Sequence, residues 1–131
     1  MPQTLKDLVA AAAGAVERVD IATARRMIAE ENALLLDVRD APEIEKSGRA
    51  EGAHHVPRGM LEFRADASAP THDPELAADR PVITYCAAGG RAALAGKTLQ
   101  DMGFTRVYTL GSFKDWIDGD GPVREGMDPG M

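Results

Sequence analysis

The sequence predicts an α/β fold, a three-layer α/β/α domain built on a mainly parallel sheet of about five strands. Two apolar runs, Ala33–Val38 and Val82–Tyr85, lack the in-and-out alternation of a half-exposed strand and so suit strands covered on both faces. Segments with helical spacing alternate with the strand-like runs along the chain, the order expected of strand–helix–strand units. The 131 residues, 44% of them hydrophobic and 27% charged, are enough for one core and too few for two. The whole of 1–131 therefore reads as one domain, with a core over about 19–123, a helical extension over 4–16 and a loose C-terminal tail.

Leu5, Leu8, Val9, Ala12 and Val16 recur on one side of a short first helix. Val16–Val19 forms a first strand, and Asp20 caps a helix whose apolar face is Ile21, Ala24, Met27 and Ile28 and which Asn32 ends. Ala33–Val38 is the next strand. Asp40 and Pro42 open a short helix through Lys46, closed by Ser47 and Gly48. Ala53–Val56 is a strand that Pro57 stops, Met60–Arg64 is one helical turn, and Asp66–Pro74 is a polar loop without periodicity. Asp73 and Pro74 start a helix over Glu75–Asp79. β-Branched and aromatic residues make Val82–Tyr85 a buried strand, and Arg91–Met102 is helical until Gly103. Arg106–Leu110 is the last strand, Ser112 caps a helix around Trp116, and the Gly/Pro-rich stretch from Gly119 is loose.

Composition excludes several functions. A net charge of −6 and a pI near 5.0 oppose nucleic acid or an anionic membrane as the main partner, since both are bound through clustered Lys and Arg. No run reaches the roughly 20 apolar residues of a membrane span, and the N-terminal stretch lacks the basic start of a signal peptide. With one cysteine there is no internal disulfide, which fits a reducing, cytoplasmic compartment.

That cysteine, Cys86, stands where the strand Val82–Tyr85 gives way to Ala87-Ala88-Gly89-Gly90-Arg91 and then to a helix. At such a junction the unpaired N–H groups of the loop and first helical turn converge on the sulfur, and the helix dipole adds partial positive charge. Small residues at Ala87, Ala88, Gly89 and Gly90 let the loop curl into an anion-binding nest, with Arg91 beside it. A cysteine at a strand end is often just a small buried hydrophobe. The glycine-rich, arginine-ended turn instead marks Cys86 as a nucleophile. Because Asp37 and Cys86 each end a strand, and ligands of open parallel sheets gather at the carboxyl ends of strands, both are expected to border one pocket.

Four segments, taken in order, resemble the rhodanese-like domain family of sulfurtransferases: Leu35-Leu36-Asp37-Val38-Arg39 with Glu43, Gly52-Ala53-His54-His55-Val56-Pro57, Cys86 to Arg91, and Met102-Gly103-Phe104 through Val107-Tyr108 to Gly111 and Trp116. The resemblance implies that Cys86 takes a sulfane sulfur from a donor such as thiosulfate or a persulfide, carries it as a persulfide and delivers it to a thiophilic acceptor. It also implies that the amides of Ala87 to Arg91 hold the thiolate and its persulfide, and that Arg91 helps to bind an anionic donor. The implied partners are a small sulfur donor and a thiol- or cyanide-type acceptor, with a protein sulfur acceptor as a further option, and no metal or organic cofactor is needed. A sulfur-carrier or regulatory binding module serving a protein partner is the alternative from another class. Phosphatases related to this family place the arginine six positions after the cysteine; here Arg91 follows Cys86 by five. The tighter ring suits a single sulfur better than a tetrahedral phosphate. The sequence departs from the family pattern at Gly48-Arg49-Ala50, at Ala92 where serine is common, and at Gly111-Ser112. Ala87 and Ala88 supply no charge where some thiosulfate-using members carry basic side chains.

Asp37 and Arg39 fall on alternate strand positions and so share a side. Their expected role is structural, with Arg39 paired to Glu43 or a neighbouring acid and Asp37 orienting loop groups. Arg58 is a candidate cation at the pocket rim. His54 and His55 point to opposite faces of a strand and His72 lies in a loop, so no metal site is expected. Trp116, Phe104 and Phe113 read as packing residues.

Overall fold

The computed structural model describes residues 1–126. Its elements in chain order are α1 (Leu5–Ala15), β1 (Glu17–Arg18), α2 (Ile21–Glu31), β2 (Leu34–Asp37), α3 (Ala41–Ser47), β3 (Arg49–Ala50), β4 (His54–His55), a 3-10 turn (Arg58–Met60), α4 (Leu61–Ala65), β5 (Val82–Cys86), α5 (Gly90–Asp101), β6 (Val107–Ser112), α6 (Phe113–Asp118) and β7 (Val123–Arg124). Five strands form one parallel sheet in the order β1-β6-β5-β2-β4, which puts β5 at its centre.

Side-chain alternation along the central strands builds two separate cores, one on each face of the sheet. Leu34, Leu36, Val82 and Cys86 join Ala92, Ala95 and Leu99 of α5 and Leu61 and Ala65 of α4 on one face. Leu35, Ile83 and Tyr85 join Ala24 and Met27 of α2 and Phe113 and Trp116 of α6 on the other. The α/β/α layering expected from the sequence is therefore present. The caps lie where their chemistry places them: Asp20 Oδ1 accepts from Thr23 N–H, Ser112 Oγ from Asp115 N–H, and Asn32 ends α2 in the left-handed region at φ +55°.

Two expectations are corrected. Glu75–Asp79 is not a helix but a pair of turns, closed by Leu76 N–H to Asp73 O and Arg80 N–H to Ala77 O. Asp73 Oδ1 captures Glu75 N–H locally, and fully buried Leu76 anchors the segment on the core, so five residues never establish a helical ladder. The stretch after Gly119 is not loose as far as Gly126; the remainder of the predicted tail, 127–131, lies outside the described residues. β7 pairs antiparallel with β3, a strand the sequence reading did not include, matching Arg49 with Arg124 and Ala50 with Val123. Trp116 Nε1 and Glu51 N–H both donate to Pro122 O, at 2.7 and 2.8 Å, which ties this stretch to the face of the sheet that carries α6.

Candidate active site

Cys86 is the last residue of β5, and its side chain turns toward α5. The loop that follows is short because Gly89 adopts φ +110°, a conformation in which a side chain would be strained. This twist swings Gly89 N–H back onto the sulfur at 3.0 Å, and Ala92 N–H, in the first turn of α5, donates to the same atom at 3.3 Å. Thr84, one inward position earlier on β5, fixes that turn through Oγ1 to Ala92 O at 2.9 Å. Two amide donors and a helix start thus stabilise negative charge on Sγ, while the residue as a whole is only 1% exposed.

Arg91 does not lie over the sulfur unopposed. Its Nη1 and Nη2 donate to the two carboxylate oxygens of Glu43 at 2.7 and 2.8 Å, a bidentate pair that links the start of α5 to the first turn of α3. Glu43 also accepts Asp40 N–H, completing a capping box on α3. The Arg91 hydrogen bonds hold the Glu43 carboxyl at about 2, and the same contact pushes the Arg91 guanidinium upward.

The candidates expected to support this loop are divided between two places. Asp37 and Arg39 do share a side, but it is the face opposite the Cys86 sulfur. Asp37, wholly buried, accepts from Arg39 Nε and Nη2 and from the Tyr85 hydroxyl at 2.7 Å. The Arg39 guanidinium, stacked 4.4 Å from the Phe113 ring centre, donates further to Ser47 Oγ and Gly48 O. Burial and the Asp37 charge push the Tyr85 phenol upward, so it remains a hydrogen-bond donor. Asp37 and Cys86 end neighbouring strands, as the sequence suggests, yet Asp37 does not line the cysteine pocket. Arg58 also lies outside that lining: it donates to Glu62 Oε1 and to Thr98 Oγ1, two turns along α5 from the loop.

The pocket over Cys86, about 270 Å³, is closed on one side by residues the sequence reading did not assign to it. Leu5 and Val9 of α1 and Leu94 of α5 face the loop residues Cys86, Ala87, Ala88, Gly90 and Arg91. The apolar stripe on α1 was visible in the sequence, but nothing there told which helix it would cover. Gly96 decides this: a Cβ at that position would stand 2.9 Å from a Val16 methyl, so only glycine lets the end of α1 seat on α5. Gln100 Nε2 then donates to Ala15 O at 2.9 Å. A larger hollow of about 700 Å³, between β1, α2 and α6, holds no nucleophile, and its Arg18 and Asp115 pair with each other at 2.6 Å.

The chain and its fold have known relatives. The Rhodanese-like domain family model matches residues 20–118. The Bacillus subtilis protein YqhL is 36% identical over 85 residues, 64% of this chain and 60% of its own length, so the chain spans less than two thirds of that relative. The thiosulfate sulfurtransferase GlpE of Actinobacillus succinogenes is 38% identical over 91 residues, 69% of this chain and 74% of GlpE. Among solved structures, a Rhodopseudomonas palustris protein of unknown function, named a possible tyrosine phosphatase, superposes with a TM-score of 0.83 at 36% identity, covering 95% of this chain and 99% of its own.

Proposed function

This chain belongs to the rhodanese-like domain family, and from that membership and the loop geometry we propose that it is a sulfurtransferase working through a persulfide on Cys86. The observation that carries the reading is the pair of amides, Gly89 N–H and Ala92 N–H, aimed at Sγ from 3.0 and 3.3 Å. Donors so placed meet negative charge on the sulfur with hydrogen bonds already in position, which is the support a sulfur nucleophile and leaving group uses during transfer. The thiolate attacks the outer sulfur of a donor, the donor's S–S bond breaks, and its electron pair leaves on the departing group. The new terminal sulfur then sits in the nest of Ala87 to Arg91. An acceptor nucleophile attacks that sulfur, and the bond to Sγ breaks to restore the thiolate. Arg91, tied to Glu43, frames the loop, and Asp37, Arg39 and Tyr85 brace β2 and β5 from the opposite face. A reducing cytoplasm would supply thiol acceptors.

The name given to the Rhodopseudomonas palustris relative raises phosphoryl transfer as a second reading. The site favours sulfur. Five steps from Cys86 to Arg91 leave a small ring, and the guanidinium that would clamp a phosphate is already bidentate to Glu43. Intact-protein mass after incubation with thiosulfate, and separately with an organic persulfide, tests the proposal. A gain of about 32 Da, absent in Cys86→Ser and removed by cyanide, is expected. Hydrolysis of an aryl phosphate that depends on Cys86, with no sulfur adduct from either donor, would reverse the assignment.

A further inference from the structure

The wall that α1 adds to the pocket carries information about the donor. Leu5 is 70% exposed and Leu8 45%, although both lie on the apolar side of a helix that is capped by a Thr4–Asp7 box and held at its far end by Ala12, Val16 and Gln100. The helix is thus fixed in place while Leu5, in its first turn, stands largely uncovered at the cysteine pocket. In the same lining, Val9, Leu94, Ala87 and Ala88 continue the apolar character. Arg91 is the one charged side chain in the lining, and Glu43 neutralises it. A dianionic donor entering here would leave water for a surface that returns no net positive charge, whereas an apolar group would bury surface against Leu5, Val9 and Leu94.

We propose, resting on the sulfur-transfer reading of Cys86, that α1 is a specificity wall of the active site and that its Leu5–Val9 face selects small organic hydropersulfides, R–S–SH with an apolar R, over donors that carry a charged group in place of R. The step balances without a further reactant. The Cys86 thiolate bonds to the terminal sulfur of R–S–SH, the S–S bond of the donor breaks, and its electron pair leaves on R–S⁻. The products are Cys86–S–SH and a thiolate that takes a proton from water. R rests against α1 while the terminal sulfur enters the nest made by the Gly89 and Ala92 amides.

The test compares two donors with the same reacting bond, benzyl hydropersulfide and 2-carboxyethyl hydropersulfide, by the single-turnover rate at which the adduct of about 32 Da appears on Cys86. The wild-type chain is expected to prefer the benzyl donor by about tenfold or more, the low end of what one apolar contact contributes in a pocket. Leu5→Lys, at an exposed position where folding is undemanding, is expected to erase most of that preference, and Leu5→Met to keep it. Equal rates for the two donors in the wild type, or a preference that Leu5→Lys leaves unchanged, would overturn the inference while Cys86 persulfide formation stands. No adduct from either donor, or from thiosulfate, would overturn both.

Discussion

Replacing Glu43 with glutamine isolates what the Arg91 pair does, because the amide keeps the size of the side chain and one acceptor for Asp40 N–H while removing the charge. The carboxyl is held at about 2 in the folded chain against 4.5 for its ordinary value, chiefly by the Arg91 hydrogen bonds. Full linkage would make this about 3 kcal/mol. Both side chains are 36% exposed, however, so solvent screening reduces the contribution to about 1 kcal/mol. The sign follows from a lowered carboxyl: the stabilisation is present above the unfolded value of 4.5 and is lost as pH falls through about 2. At pH 7 the variant should thus melt about 4 °C lower than the parent, and the two curves should converge as pH falls from 4.5 to about 2. The effect on chemistry is opposite in sign. Arg91 loses its counter-charge, and a dianion seated at the sulfur gains the freed attraction: two negative charges at a separation of about 6 Å from one positive charge correspond to about 1.4 kcal/mol in a water-like dielectric, or about tenfold in kcat/KM. Steady-state transfer from thiosulfate to cyanide measures this, and the gain should shrink in 1 M salt, where the Debye length is about 3 Å. Benzyl hydropersulfide, which carries at most one negative charge, should gain no more than about threefold. A folded variant whose thiosulfate kcat/KM is unchanged, or which speeds both donors equally, would refute the view that Glu43 cancels the charge Arg91 presents to the pocket.

Two further substitutions separate the sulfur nest from its support. Gly89→Ala forces a side chain into φ +110° and displaces the amide that stands 3.0 Å from Sγ; single-turnover persulfide formation should fall by about 10²-fold, with a stability loss of about 1–3 kcal/mol from backbone strain measured by urea unfolding. Full activity in that variant would show that the Gly89 amide does not serve the sulfur. Tyr85→Phe removes a donor from Asp37 Oδ2 and an acceptor from Ala50 N–H, so urea unfolding should report a loss of about 1–3 kcal/mol, while the persulfide rate of the folded protein changes less than about threefold because the hydroxyl lies across the sheet from the thiol. A large loss of rate without loss of stability would place Tyr85 in the chemistry instead.

What the sequence made legible is what local rules control. The short runs Leu34–Leu36 and Val82–Tyr85, without in-and-out alternation and bounded by turn residues, suit strands buried on both faces, and they form β2 and β5 in the interior of the sheet. Asp20 and Ser112 cap helices because their side chains reach an N–H three residues on. The junction at Cys86 was visible for the same reason, since small residues before a helix-forming run define a loop that turns its amides inward. Illegible features depend on contacts between distant segments. Whether Glu43 would meet Arg39 or Arg91 is a matter of how α3 sits against α5, and Arg39 had a closer acid two residues away in Asp37, on the same side of the chain. The antiparallel pairing of β7 with β3 joins residues more than 70 positions apart, and its strands of two residues carry no periodicity to read. The brief helical signal over Glu75–Asp79 lost to an aspartate turn and to the burial of Leu76.

The division of labour across β5 explains why the candidate site tolerates so small a loop. Alternate side chains of one strand serve opposite cores, so Thr84 and Cys86 face α5 while Ile83 and Tyr85 face α6. Tyr85 is tied to Asp37 on β2, and Asp37 to Arg39, whose guanidinium reaches Gly48 O at the end of α3. Glu43, one turn earlier on α3, returns to Arg91 at the start of α5. The chain of contacts closes a circuit from the residue before Cys86, around the carboxyl end of the sheet, to the residue that ends the loop. A five-residue loop fixed at both ends in this way keeps its amides aimed at the sulfur before any donor arrives, and such preorganisation is what lets backbone dipoles stabilise a developing anion without being reoriented. Side chains are then left to set selectivity, and under the proposed donor preference two of those at this pocket, Leu5 and Val9, come from α1, outside the family match over 20–118. On that proposal a change in the first turn of α1 alters the pocket wall without touching the circuit that holds the Cys86 loop.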